Sequence, residues 1–335
     1  MPTAPTLRSL AAEAGTSPMT VSLALRNHPR IPVATRERIQ KLAKQRGYTP
    51  DPQIAALMQH LRMRRPARLQ SVIVALTTTP GRRTNRYSEV IARSARERAA
   101  ELGFGFDQIS LGPYVDRAGS LNRVLRARGI DGVVLLPMIE PIELDELLDW
   151  RAMSVVATTH SVLSPRFHCV LPDGFSGTLT MCGKLRKLGF RRIGLVLSAG
   201  MDERSHHNIT GAFLWQNTRM GIEPVSPFIV QTGNERGFNN WLKQERPDAI
   251  ISEREDRAAF SEWMGIASGK DRHSFYYCGI SVAANDRGAG MLQREDEIGR
   301  TAIDLLAGML QHGEKGIPEY PKVTLIPSAW NPAFL

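Results

Sequence analysis

The sequence contains little cysteine and no long apolar run. Its three cysteines are scattered and form no CxxC pair: they are Cys169, Cys182 and Cys278. Neither a disulfide framework nor a metal site is therefore expected, and we interpret them as core thiols. No stretch reaches the roughly 18 consecutive apolar residues that a membrane helix requires, and the first residues lack the apolar segment of a signal peptide. We expect a cytoplasmic protein that does not contact a membrane.

The sequence also lacks the common catalytic motifs. It contains no Walker loop, no GxSxG, no HExxH and no GxGxxG after the first predicted strand. The GFGF at residues 103–106 is too short for a dinucleotide loop, and we interpret Ser176 of GFSG as a local helix cap. The adjacent His206 and His207 are interpreted as solvent-facing or capping residues. We predict no catalytic residues, no cofactor and no enzymatic activity.

Positive charge is present in excess and is concentrated at one end. The chain has 43 Lys and Arg against 33 Asp and Glu. Residues 1–68 hold twelve of the basic and three of the acidic side chains, a balance of +9, whereas the remainder carries +1. Such asymmetry is typical of a module that binds a polyanion. A solvated basic surface is the alternative that charge alone leaves open.

Two short helices are predicted at this basic end. Thr6 has the side chain of an N-cap, and apolar residues follow it at helical spacing as far as Gly15. Ser17 then provides a second N-cap, with Pro18 at the first helical position. Two helices joined by so tight a turn form a helix-turn-helix unit, whose second helix lies in the DNA major groove.

Helical spacing divides the side chains of the second helix between two faces. The face expected to pack inward carries Val21, Ala24 and Leu25. The opposite face carries Met19, Ser22, Leu23 and Arg26, which we expect to be available to bases. An ordinary amphipathic surface helix has the same pattern, so the prediction depends on the tight turn and on the charge.

A third helix and a hinge follow. The third helix is predicted over residues 33–46, with Ile39, Leu42 and Ala43 inward. After an extended stretch, Asp51 and a following proline predict a fourth helix from residue 52 to about residue 62. Because isolated helices shorter than ~12 residues are marginal in water, we expect this segment and the basic run behind it to be ordered by a partner.

These segments resemble the DNA-binding headpiece and hinge of the lac repressor (LacI/GalR) family. The resemblance lies in the helix pair, TVS at 20–22, TRERI at 35–39, GYTP at 47–50 and a leucine, Leu57, nine residues after Tyr48. It implies that two hinge helices of a homodimer enter the minor groove together, with Leu57 wedged between base pairs. It also implies a near-palindromic double-stranded operator.

The resemblance implies a set of DNA-binding positions. They are Thr6, Ser17, Pro18, Met19, Thr20, Ser22, Leu23, Arg26, Asn27, Arg30, Tyr48, Ile54 and Leu57. Many members carry arginine where this chain has Leu23, so that position offers no bidentate contact to guanine. We expect Met19 and Leu23 to meet thymine methyl groups, and Thr20 and Ser22 to bond phosphates or base edges.

Beyond residue 68 the pattern changes to short apolar runs alternating with helical stretches. This alternation predicts a parallel, doubly wound α/β sheet. The region has about nine predicted strands, which is more than a single domain of this kind usually contains, so two lobes are expected. The region resembles the family's two-lobed, periplasmic-binding-protein-like core. By this resemblance the first lobe takes roughly residues 69–160 and 290–322, and the second roughly 161–289 and the end.

Ligands of open α/β sheets bind at the carboxyl ends of the strands, which here means a cleft between the lobes. The resemblance implies that Tyr87, His160, Asp173, Asn208, Arg254 and Ser281 lie near it. The family commonly has asparagine and aspartate at the last two positions. We hypothesise that Arg254 selects an anionic or uncommon saccharide. The alternative is that it merely pairs with Glu253, Glu255 or Asp256.

We therefore predict three parts: an all-α helix-turn-helix headpiece (1–50), a hinge helix with a basic linker (51–68), and a two-lobed effector-binding and dimerisation domain (69–335). The predicted function is a nucleoid-associated, ligand-responsive transcriptional repressor that binds a carbohydrate-like effector. Whether the effector is an inducer or a corepressor stays open. Because we find no tail with a heptad repeat, we do not predict a coiled-coil tetramer. The alternative is a cytoplasmic solute-binding protein or a non-catalytic sensor without a specific DNA target.

Overall fold

The computed structural model describes most of the chain, in twelve stretches. They are residues 5–25, 27–28, 31–48, 71–78, 86–114, 119–138, 141–219, 225–231, 237–254, 257–264, 275–283 and 288–332. The predicted hinge helix lies outside these stretches, together with Ile54 and Leu57. So do Arg26 and Arg30 of the proposed DNA-binding set.

The headpiece consists of three helices, α1 (Leu7–Glu13), α2 (Pro18–Leu25) and α3 (Val33–Gln45). Thr6 caps α1, since its Oγ1 accepts a hydrogen bond from the Ser9 backbone N–H at 3.1 Å. Ser17 Oγ likewise accepts from the Thr20 N–H at 3.0 Å. Both predicted N-caps are confirmed, and the three helices close around a small core: Leu10, Ala11, Ala14, Val21, Ala24, Ile31, Ile39 and Ala43.

The larger region is an α/β domain. Its described strands are β1 (Val72–Thr77), β2 (Gly105–Ser110), β3 (Gly132–Leu135), β4 (Ile142–Glu143), β5 (Ser154–Ala157), β6 (Val162–Ser164), β7 (His168–Pro172), β8 (Ile193–Ser198), β9 (Phe228–Val230), β10 (Ala249–Ser252), β11 (Tyr276–Gly279), β12 (Ala289–Leu292), β13 (Val323–Ile326) and β14 (Ala329–Asn331). Its described α-helices are α4 (Arg86–Glu101), α5 (Ser120–Ala127), α6 (Gly174–Lys187), α7 (Ala199–Arg204), α8 (Asn208–Arg219), α9 (Gly237–Glu245), α10 (Arg257–Trp263) and α11 (Glu295–His312). A short 3₁₀ turn spans Trp150–Ala152.

Two six-stranded sheets form the predicted pair of lobes. The first has the order β13-β7-β5-β3-β1-β2, with every neighbouring pair parallel. The second has the order β14-β12-β11-β10-β8-β9, parallel except for the β12–β14 pair. Apolar clusters cover both faces of each sheet. Burial on both faces explains why the strands are almost continuously apolar.

The predicted lobe boundaries assign three strands to the wrong lobe. Strand β7, at residues 168–172, belongs to the first sheet although the sequence placed it in the second lobe. The sequence placed β12, at residues 289–292, in the first lobe and β13, at residues 323–326, in the second. In the structure β12 belongs to the second sheet and β13 to the first. The chain therefore crosses between lobes after β7, after β12 and after β13. Each crossing follows the carboxyl end of a strand, so the crossings border the edge where ligands bind.

Helices α4 and α11 pack closely on one face of the first sheet. Gly299 permits this approach, because a Cβ there would lie 2.1 Å from Ser94 Oγ and 2.5 Å from the Ile91 carbonyl oxygen. Exposed ion pairs join the same helices: Arg98 contacts Asp304 at 2.7 Å, and Arg300 contacts Glu101 at 2.8 Å. Hydrogen bonds from Arg300 and Arg98 lower the pKa of Glu101 to about 2. No helix in the described stretches is long and apolar enough to span a bilayer.

Candidate functional site

The outer face of α2 combines hydroxyl groups with one long apolar side chain. Met19 is 68% exposed, and Ser17 and Pro18 are also exposed. Thr20 and Ser22 are partly buried, with Thr20 Oγ1 at 2.9 Å from Ser17 Oγ. This surface offers hydroxyl groups that can donate and accept hydrogen bonds, together with an apolar side chain that can contact a methyl group. Such groups contact base edges and phosphates in protein–DNA complexes.

Leu23 does not point away from the core as the sequence predicted. It is partly buried and packs on the headpiece core, as does Leu25. The reason is that α2 contacts both α1 and α3, so its apolar arc is wider than a single stripe. Tyr48 packs on the same core. The DNA contacts expected of Leu23 and Tyr48 remain predictions for their exposed parts.

Asn27 anchors the end of α2 to α3, a role that the sequence did not indicate. Its backbone lies in the left-handed region, with φ of 56°. Its side-chain Oδ1 accepts a hydrogen bond from Gln40 Nε2 at 2.7 Å, and its carbonyl accepts from Arg36 at 2.8 Å. These bonds fix where α2 ends relative to the third helix.

A cavity of about 1060 Å³ lies between the two lobes. All six residues expected at the cleft line it: Tyr87, His160, Asp173, Asn208, Arg254 and Ser281. Tyr87 and Asn208 lie at the starts of α4 and α8, whereas the other four follow β5, β7, β10 and β11. The structure thus brings these six residues together at the carboxyl ends of strands. That each of them contacts a ligand stays a prediction.

Asp173 and Tyr87 are held by the fold itself. Asp173 Oδ1 accepts the Ser176 backbone N–H at 2.9 Å and thereby caps α6. The interpretation of Ser176 as the cap is therefore wrong, because Ser176 lies inside the first turn and its N–H is the group being capped. Burial and the nearby Glu295 carboxylate raise the pKa of Tyr87, so its hydroxyl remains a neutral donor.

Arg254 is positioned against an aromatic ring. Its guanidinium carbon lies 4.0 Å from the centroid of the Trp263 ring, and its carbonyl oxygen accepts a hydrogen bond from Tyr277 at 2.6 Å. The neighbouring Glu253 accepts the Ser198 N–H at 2.9 Å instead of pairing with Arg254. Glu255 and Asp256 lie outside the described residues. This contact places the guanidinium group at the cavity wall.

His206 is exposed, in agreement with its interpretation as a solvent-facing residue, and it also lines the cleft, which the sequence did not indicate. Its ring stacks on that of His160, with centroids 3.8 Å apart and an angle of 18° between the planes. Burial, His206 and Arg166 lower the pKa of His160 to about 4. Burial, Arg166 and His207 also lower the pKa of His206. His207 does face solvent, and its Nδ1 lies 2.8 Å from Asp202 Oδ2.

A second polar contact joins the lobes at Ser281. Its hydroxyl donates to Glu295 Oε1 at 3.2 Å, and Arg86 donates to the same oxygen at 2.7 Å. Glu295 begins α11 of the first lobe, whereas Ser281 follows β11 of the second. The sequence indicated Ser281 but neither of its charged partners, which become neighbours only when the lobes assemble.

The three cysteines are buried, as predicted. Burial raises the pKa of Cys169 to about 11 and that of Cys182 to about 12, and it raises the pKa of Cys278 further. Thiols held neutral in this way are poor nucleophiles and poor metal ligands. Within the described stretches, no three His, Cys, Asp or Glu side chains are grouped to hold a metal ion.

Comparisons with known proteins identify the headpiece. Residues 6–51 match the model of the lacI family of bacterial regulatory proteins. The chain is 25% identical over 265 residues to the sucrose operon repressor of Escherichia coli, covering 76% of each chain. It is 26% identical over 257 residues to the HTH-type transcriptional regulator DegA of Bacillus subtilis, covering 74% of this chain and 72% of that one.

Solved structures share the fold along nearly the whole chain. The complex of the transcriptional regulator CelR with cellobiose has a TM-score of 0.55 at 17% identity and covers 98% of each chain. The lac repressor dimer bound to operator and the anti-inducer ONPF has a TM-score of 0.53 at 18% identity and covers 97% of each. Residues 6–51 therefore match the DNA-binding domain of the lacI family of bacterial regulatory proteins, and the two-lobed α/β domain behind them shares the fold of these solved regulators.

Proposed function

We propose that this protein is a transcriptional repressor whose affinity for a near-palindromic operator is controlled by a small molecule in the inter-lobe cleft. The observation that carries the proposal is the match of residues 6–51 to the lacI family, on a headpiece whose α2 presents an exposed Met19 beside partly buried hydroxyl groups. Bound to its operator, the protein is associated with the nucleoid as a homodimer, since two-fold protein symmetry matches two-fold operator symmetry.

The DNA-reading role falls on α2. Ser17, Thr20 and Ser22 supply hydroxyl groups, and Met19 supplies an exposed apolar contact for a thymine methyl group. The basic excess of residues 1–68 provides contacts with phosphate, which hold the headpiece on the duplex without reading sequence. Leu57 of the hinge acts as the minor-groove wedge in this proposal.

The ligand in this proposal is a carbohydrate that carries an anionic group. A carbohydrate is favoured because relatives include a sucrose operon repressor and a regulator solved with cellobiose. The anionic group is favoured because Arg254 presents a stacked guanidinium to the cavity and Glu253, next to it, is engaged elsewhere. Planar guanidinium groups recognise carboxylate and phosphate through two parallel hydrogen bonds.

A thermal-shift screen checks this ligand class. We expect sugar acids or sugar phosphates to raise the Tm of the full chain more than the matching neutral sugars do. Arg254→Gln should then weaken the best anionic ligand about 10- to 100-fold, because a charge-assisted hydrogen bond is worth roughly 1.5–3 kcal/mol. The control is Arg191→Gln, which removes the same charge from an exposed position on the same lobe. Stabilisation by neutral sugars alone would eliminate the anionic ligand.

Ligand control of the repressor is tested by titrating a fluorescent operator with protein, with and without the ligand found in the screen. Closure of the lobes changes the spacing of the hinge segments, so the operator affinity should change about 5- to 150-fold. A decrease identifies an inducer and an increase identifies a corepressor. An affinity that the bound ligand leaves unchanged would contradict the proposal.

A further inference from the structure

Two histidine rings meet face to face across the cleft. His160 follows β5 of the first lobe, and His206 lies in the turn between α7 and α8 of the second. Their centroids are 3.8 Å apart and their planes are nearly parallel, at 18°. The stack is therefore a direct contact between lobes, and both rings line the cavity.

The stack tolerates neutral rings far better than charged ones. Two neutral imidazoles pack at this distance, whereas two imidazolium ions would repel each other. The positive charge of Arg166 reinforces this preference, because it lowers the pKa of both rings. Arg204, at the end of α7, lines the same cavity.

The carboxylates near the stack are engaged elsewhere. Asp173 accepts the Ser176 N–H, and Glu253 accepts the Ser198 N–H. Asp202 accepts from Thr210 and pairs with the outward ring of His207. Burial is the largest cause that lowers the pKa of both stacked rings. Separation of the lobes would expose the partly buried His160 ring fully to water and return its pKa towards about 6.5.

We propose that His160 and His206 form a proton-sensitive contact that holds the lobes together near neutral pH and releases them in mildly acidic solution. The stacked state binds fewer protons than the open state, so acid favours the open state. The contact is fully stabilising above pH ~6.5 and is lost progressively as the pH falls towards about 4. The effect belongs to the protein without ligand and does not depend on the identity of the effector.

The expected size follows from His160 alone. A pKa of about 4 in the stacked state, against about 6.5 in the open state, changes the ratio of open to stacked molecules about eightfold between pH 7 and pH 5.5. His206 adds to the effect in the same direction, because its pKa is also lowered in the stack.

The test measures the distance between the lobes by electron spin resonance in the full chain. Spin labels are attached at Arg123→Cys on α5 and Lys243→Cys on α9, both exposed positions, while the three native thiols are buried. We expect the ratio of long to short distances to rise about eightfold or more from pH 7 to pH 5.5. An unchanged ratio would overturn the proposal.

Two variants separate the stack from other titrating groups. The double variant His160→Phe with His206→Phe keeps two aromatic rings but no titrating proton, so its ratio should be the same at both pH values. The control His312→Gln removes an exposed histidine at the end of α11 and should respond as the wild type does. A phenylalanine pair with the wild-type response would also overturn the proposal.

A measurement on the wild type covers the case in which the phenylalanine pair does not fold. Proton NMR of the imidazole groups follows the eight histidines of the chain through acid titration. At least one should titrate well below the ordinary range, and His206→Gln should raise its pKa. If every histidine titrates near pH 6.5, the proposal fails.

Discussion

Replacing Gly299 by alanine is expected to destabilise the α/β domain by about 3 kcal/mol or more, near the top of the range for overpacked cores. The added Cβ would lie 2.1 Å from Ser94 Oγ and 2.5 Å from the Ile91 carbonyl oxygen. The serine side chain can rotate away, but the carbonyl belongs to the backbone of α4. The two helices must therefore separate, which removes contacts along their whole interface.

Gly308 provides a matched control on the same helix. A Cβ there would meet nothing within 4 Å, so Gly308→Ala should leave stability unchanged or raise it by about 0.5–1 kcal/mol through helix propensity. Urea unfolding followed by circular dichroism compares the two variants with the wild type. Equal unfolding midpoints for Gly299→Ala and Gly308→Ala would show that the helices are not packed as described.

Replacing Leu57 by alanine is expected to weaken binding to the specific operator about 100-fold, since a lost apolar wedge forfeits a few kcal/mol of contacts that the kinked duplex permits. This prediction rests on the sequence resemblance, because Leu57 lies outside the described residues. Nonspecific binding depends on phosphate contacts and should change little. The control is Gln59→Ala, in the same predicted helix.

The measurement for Leu57→Ala is a pair of titrations at one salt concentration, with operator and with shuffled duplex. Only the operator titration should respond to the loss of the leucine, and Gln59→Ala should match the wild type in both. Equal losses on the two duplexes would contradict the wedge role and would assign Leu57 to general headpiece stability.

Local chemistry made the headpiece predictable from the sequence. An N-cap depends on one side chain and the three residues after it, so Thr6 and Ser17 could be assigned without knowledge of the fold. Val21 and Ala24 were placed correctly for the same reason, because helical periodicity is local. Leu23 was misplaced because α2 packs against two helices, and the width of its buried arc depends on their positions.

The lobe boundaries and the histidine stack could not be predicted in the same way. Whether β7 joins the first or the second sheet depends on the topology of the crossings, and β7 itself resembles any short apolar strand. His206 lies 46 positions from His160 in the sequence. Its ring reaches the cleft because of a left-handed turn at residues 206–207 and because of the placement of the lobes. Neither the turn nor the placement of the lobes can be predicted from the residue pattern.

The cleft residues were assigned through the family resemblance, and the structure adds the reasons for their positions. Asp173 was expected near a ligand, and its cap on α6 also fixes its carboxylate. Arg254 was left between ligand binding and surface pairing. Its stack on Trp263 could not be inferred, because Trp263 ends a separate helix, α10, whose position relative to β10 the sequence does not define.

Selection from a random pool of DNA duplexes with the full-length protein tests the central claim most directly. The protein is applied alone and with each compound that raises its Tm. We predict recovery of one inverted-repeat sequence, bound at least ~10³-fold more tightly than shuffled duplex at physiological salt. Recovery of no shared sequence under any of these conditions would contradict the proposal that this chain is a sequence-specific repressor.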